Sequence, residues 1–140
     1  MKSYQIAFHE PLLNPKLTFN SDFERGKALF AMSHPVMAHD NKNDPCLNYA
    51  NAAALQLWSR CWEEMIGMPS RLTAPETEQE QRKHALKQAS KKHAIKNYQG
   101  IRMNSKGELF MIKHARIWTI WDEKDSIFGQ AATFAVWQQI

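Results

Sequence analysis

The chain of 140 residues is poor in the features that define several protein classes. Its two cysteines, Cys46 and Cys61, cannot build a disulfide framework and form no C-x-x-C pair. Five Gly and six Pro are too few for a collagen-like or linker-like chain. No run reaches the ~18 apolar residues of a membrane span, and Met1 to Pro11 holds no apolar core of signal-peptide length. A soluble, cytoplasmic protein with reduced thiols and no membrane partner is the expectation. Catalytic signatures are absent: no G-x-S-x-G, H-E-x-x-H, P-loop or G-x-G-x-x-G occurs. Adjacent Glu63 and Glu64 point apart on a helix. His34 and His39, and likewise His84 and His93, are spaced so that neither pair ligates side by side, so no metal site is expected.

Against these absences, the chain is 44% hydrophobic and 23% charged, which supports one folded domain. Five Trp and seven Phe are a rich aromatic supply for so small a core. The formal net charge of +4 invites a nucleic-acid reading until the charge is located. Residues 76–96 hold Arg82, Lys83, Lys87, Lys91, Lys92 and Lys96 against Glu76, Glu78 and Glu80. Acids in front and bases behind is the order a helix dipole favours. No base-stacking or groove-reading motif accompanies them, so nucleic acid is not an expected partner.

Residues 1–21, broken by Pro11 and Pro15, read as an extended N-terminal arm, and 22–140 as one domain. A helix is predicted from Asp22 to Phe30, weakened by Gly26. A short strand follows over His34–His39, because the residue before Pro35 avoids helical angles. Asp40–Pro45 is a turn and Cys46–Tyr49 a second strand. Asn51 offers an N-cap for a helix through Trp58, and a short helix near Trp62–Ile66 stops at Gly67. Pro75, or the capping-box spacing of Thr77 and Glu80, opens a longer helix on which Leu86, Ala89 and His93 share a face. Asn97–Met103, Leu109–Trp121 and Ile127–Trp137 then read as three strands. Two strands, a helix cluster and a three-strand meander make an α+β chain.

That order resembles the PAS fold, a five-stranded antiparallel sheet whose helices cover one face and enclose a pocket. Asn48-Tyr49-Ala50-Asn51-Ala52 and Trp62-Glu63-Glu64-Met65-Ile66-Gly67-Met68-Pro69 carry the likeness. Ser33-His34-Pro35, Asp44-Pro45, Pro69–Ala74, Gly129–Phe134 and Trp137 are similar to the MEKHLA domain, a PAS-like family of small bacterial proteins and plant transcription regulators. The resemblance implies a mainly architectural Asn51. Light-sensing members of the superfamily carry an Asn-Cys-Arg-Phe-Leu-Gln-like stretch. Here Cys61 is followed by Trp62-Glu63-Glu64, which breaks that pattern.

The candidate ligand-binding residues are His34, Asn51, Trp58, Trp62, His114, Arg116 and Trp118. Trp121 and Trp137 can likewise line a pocket or simply fill the core. In an unbroken strand, Phe110, Ile112, His114, Arg116, Trp118 and Ile120 share one face. Alternation does not settle which face meets the helices; the pocket-facing orientation is preferred, with His114 and Arg116 suiting an anionic or polar-headed ligand. The resulting expectation is a free-standing sensory or interaction module that binds a small apolar, aromatic or anionic ligand, a signalling protein, or both. Its signal passes by association, as a homodimer formed through the sheet or residues 1–30. The alternatives are a small enzyme using His34, His114 and Arg116 in a half-open pocket, and a transcription co-regulator. The cofactor is left open.

Overall fold

In the computed structural model, which describes residues 1–140, local signals account for most of the helix boundaries. Helix α1 spans Lys2–Phe8, and α2 spans Asp22–Ala31 behind a Ser21 cap whose hydroxyl accepts from Glu24 N at 3.2 Å. Strands β1 (Val36–Asp40) and β2 (Leu47–Ala50) flank the expected turn. Asn51 caps α3 (Ala52–Trp58), and Gly67, at φ 91°, follows α4 (Trp62–Met65). That left-handed angle costs glycine nothing and would strain a β-carbon. A 3-10 turn over Glu76–Glu78 starts at Pro75 and leads into α5 (Gln79–Lys92), whose first turn has no side-chain cap, so the Thr77–Glu80 capping box does not form. Strands β3 (Ala94–Met103), β4 (Leu109–Trp121), β5 (Ile127–Thr133) and β6 (Val136–Gln139) complete the chain.

The strands form one antiparallel sheet in the order β2-β1-β5-β4-β3, with β6 also pairing on β4. The last predicted strand is therefore two. Thr133 pairs with Arg116 and Val136 with Lys113, so β5 and β6 lie end to end along β4. Between them Phe134 turns inward and is buried.

Strand β4 is not an unbroken alternation, and this decides what faces the helices. The β3–β4 register shifts by one residue between Gly100–Ile112 and Tyr98–Ala115, then shifts back before Ile95–Ile117. The extra residues are His114 (φ 54°) and Asn97 (φ 57°), both left-handed. A one-residue bulge moves every later side chain to the opposite face. Phe110 and Ile112 before the bulge, and Ala115 and Ile117 after it, all join the helix-side core. Arg116 and Trp118 go to the other face, which corrects the preferred orientation.

Two cores result. The larger gathers Trp58, Met65, Ala85, Ala89, Tyr98, Phe110 and Phe134 between α3–α5 and the sheet. The smaller, on the opposite face, joins Tyr4 and Phe8 to Ala38, Trp118 and Ala131. Tyr4 and Phe8 lie 4.9 and 6.0 Å from the Trp118 ring, both edge-on. The start of the predicted extended arm is thus a docked helix. Its apolar residues at i and i+4 find a partner surface that a local reading of 1–21 cannot supply. No helix is long and apolar enough to cross a membrane.

Candidate functional site: the hollow between α5 and the sheet

A hollow of about 40 Å³ remains between the helix-side core and α5. Trp58, Leu47, Ile112, Ile117 and Phe134 supply apolar wall, and Tyr98, Arg102, Arg82, His39 and Gln130 supply polar groups. Since one water needs roughly 10–15 Å³ measured this way, the space suits a few non-hydrogen atoms. Trp58 is fully buried and its indole N–H donates to Thr73 O at 3.1 Å, so its ring is fixed as wall. It meets Phe110 edge-on with centroids 5.0 Å apart.

The polar groups are unevenly satisfied. Arg102 donates to Ile101 O at 2.9 Å and to Tyr98 Oη at 3.2 Å. Tyr98 in turn donates to Gln81 Oε1 at 2.8 Å, tying β3 to α5. Gln130 Nε2 donates to Leu86 O at 3.0 Å, tying β5 to the same helix. Arg82 has no such partner: burial, then the charge of Arg102, pull its guanidinium down to about 9, with only weak opposition from Tyr98. It still carries its proton at neutral pH. His39 Nδ1 lies 2.7 Å from Asp40 O, which makes that nitrogen the N–H donor and leaves Nε2 a buried acceptor without partner. Burial pushes the His39 pKa below its ordinary value.

On the outer side of His39, Arg82, Leu86 and Gln130 lies a polar groove of about 440 Å³. It carries Lys42, Arg71, Lys83 and Lys87 besides Arg82, against Asp44 and Glu80.

Of the seven residues singled out from the sequence, Trp58 alone lines the hollow. Asn51 is fully buried as a backbone fastener: its Oδ1 accepts from Val36 N and Ala54 N, and its Nδ2 donates to His34 O and Leu29 O. Trp62 lies half out of the surface beside Tyr49 and Phe30. His34 is exposed, and His114 is exposed on its bulge. Arg116 pairs with Glu10 and donates to Tyr4 Oη at 2.8 Å, and Trp118 packs under α1. No hydrogen bond joins His34, His114 and Arg116, and none of the three lines the hollow.

The residues that do converge were partly legible. Tyr98, Gly100 and Arg102 alternate as the buried side of β3, and Arg82 stands seven residues before Ala89, on the same helix face. Arg82 counts in the sequence only among the bases of a charged helix, and no motif singles out Arg102.

The light-sensing members of the PAS superfamily raise the question of a flavin, and the residues here do not fit one. The hollow falls far below the roughly 300 Å³ at which pockets for molecules of that size begin. Cys61 is exposed at the start of α4, where hydrogen bonding with Glu64 holds its thiol above the ordinary value.

Comparison with solved structures gives a PAS/LOV-like fold. An RNA-binding light-oxygen-voltage receptor matches 96% of this chain at 15% identity, with a TM-score of 0.72; the chain spans 37% of that receptor. The PAS domain of a protein from Colwellia psychrerythraea matches 84% of this chain and 95% of its own, at 14% identity and a TM-score of 0.70. A light-oxygen-voltage domain studied with a flavin analogue matches 85% of this chain and 86% of its own, at 14% identity and a TM-score of 0.66. No curated protein matches the sequence significantly. The MEKHLA domain family matches residues 1–139, and the chain belongs to that family.

Proposed function

We propose that the domain is a sensory module that takes a small molecule into the hollow beneath α5 and relays its occupancy by self-association. The observation that carries this reading is the hollow itself: about 40 Å³ of space lined by His39, whose Nε2 is buried without a partner, and by Arg82, which donates to no protein acceptor. A fully packed, fully paired interior has no use for such groups, because each costs free energy unless something satisfies it. The helix above is well placed to respond. It is held to the sheet by two side-chain bonds, from Tyr98 to Gln81 and from Gln130 to Leu86. A ligand acts by favouring one α5 position, and hence one assembly state, over another.

Helix α2 supports association as the output. It buries no residue, and Phe23 and Phe30 stand 75% and 40% exposed on it. The sheet face is a poorer homodimer surface, since α1 already covers part of it.

A ligand-detected NMR screen of small neutral and charged fragments tests the binding part, with Ala132→Leu as the control that fills the hollow. Binding by the native chain and not by the filled variant is expected; no binder, or equal binding to both, overturns the reading. Sedimentation of the native chain and of Phe23→Glu, with and without a fragment, tests the output. A concentration-dependent dimer that Phe23→Glu weakens is expected, and a strict monomer under all conditions removes the association step.

A further inference from the structure

Two arginines reach the same small apolar space, and no carboxylate stands between them. Arg82 and Arg102 retain 9% and 5% of their exposure, and neither belongs to any of the ion pairs in the chain. Arg102 spends one donor on Ile101 O and one on a phenol oxygen, and Arg82 meets no protein acceptor. Buried arginines are ordinarily paired with Asp or Glu, because a cation that leaves water without a partner is costly. Arg82 has no such pair and meets the outer groove on its other side. Here the like charge of Arg102 adds to that burden, yet Arg82 stays ionised at neutral pH. Two guanidinium forks offer many N–H donors, and the protein supplies almost no acceptors for them.

We propose that Arg82 and Arg102 form the recognition element of the hollow, and that its ligand is a small aliphatic monocarboxylate. This rests on the reading that the hollow takes a ligand, and it specifies the ligand's class. The charge follows from the two unpaired cations, and the planar carboxylate from the guanidinium fork that it matches bidentately. The aliphatic remainder follows from the walls, since Trp58, Ile112, Ile117 and Phe134 offer it no polar contact. Size follows from the 40 Å³, room for roughly three waters and so for an acid of a few carbons. Approach is favoured as well, because the groove beyond Arg82 holds five basic side chains against two acidic ones.

Propionate, its neutral isostere propionamide, and inorganic phosphate are the probes, titrated into the ¹⁵N-labelled full chain and its Arg82→Gln and Arg102→Gln variants. Propionate is expected to shift α5 and β3 amides and to bind at least about tenfold tighter than propionamide. In either variant that preference should shrink by about tenfold. Unliganded Arg82→Gln should melt no lower than the native chain, because it removes an unpaired buried charge. If a Gln variant fails to fold, Arg82→Lys or Arg102→Lys replaces it at the same position. The charge stays and the fork is lost, so propionate should bind more weakly and a smaller part of the preference should disappear, while an unchanged propionate affinity would overturn the role of the fork.

Propionamide binding as tightly as propionate would overturn the carboxylate assignment and leave the hollow a ligand site of another class. Phosphate binding as tightly as propionate would make it an inorganic-anion site and equally overturn it. Silence from all probes, together with no hit in the fragment screen, would remove the ligand-binding reading itself.

Discussion

Replacing Asn51 by Ala is the most demanding test of how this fold is held together. The side chain is fully buried and fastens the end of α2 and the start of β1 to the first turn of α3. Its Oδ1 accepts from Val36 N at 2.9 Å and Ala54 N at 3.1 Å, and its Nδ2 donates to His34 O at 2.8 Å and Leu29 O at 3.2 Å. Alanine leaves two N–H groups of buried residues without a partner, at about 1–2 kcal/mol each. The two carbonyls belong to less buried residues, where water offsets most of the loss, so about 0.5 kcal/mol each is appropriate. The sum is about 3–5 kcal/mol, well above the ~1 kcal/mol of a simple helix cap. With a urea slope near 2 kcal/mol/M, the unfolding midpoint should fall by about 2 M. Ser21→Ala, which removes the exposed cap of α2, is the comparison and should cost about 1 kcal/mol or less. If Asn51→Ala costs no more than Ser21→Ala, Asn51 is merely a cap and the fastening argument is wrong.

Gly26 in α2 and Gly129 in β5 should respond in opposite directions. A β-carbon on Gly26 meets nothing within 4 Å, so Gly26→Ala should raise stability by up to about 1 kcal/mol, seen as a rise of a few degrees in melting temperature. On Gly129 it would lie 2.0 Å from the carbonyl oxygen of His39, so Gly129→Ala should push β1 and β5 apart and cost about 2 kcal/mol or more in urea unfolding. Burial keeps His39 neutral in the folded state below its ordinary pKa of 6.5. The unfolded chain takes up a proton there that the folded chain does not, so this contribution to stability is full above about pH 6.5 and declines as the pH falls toward the folded value. Urea midpoints at about pH 7.5 and about pH 5.5 should therefore differ less in His39→Gln than in the native chain. Trp118→Ala removes the ring on which Tyr4 and Phe8 rest, and limited proteolysis should then cut within residues 1–20 much faster than in the native chain.

Much of the architecture was legible in the sequence because its signals are local. Asn51 before three alanines, Gly67 with Pro69 behind it, and Pro75 ahead of a charged run each act through neighbouring backbone. The α+β order and the family follow from such signals in series. What tertiary structure alone decided is which side of the sheet each residue faces and what waits there. Left-handed His114 and Asn97 are bulges only because β3 and β4 pair across them, and that one-residue shift carries Arg116 and Trp118 to the far face. Lys2–Phe8 is held as a helix by Trp118, more than a hundred residues away. Arg82 is one base among several on a charged helix, and nothing marks Arg102, until α5 closes over β3 and buries most of both. Alternation and capping are written along the chain, whereas register, burial and the absence of a counter-charge exist only once separate segments are in contact.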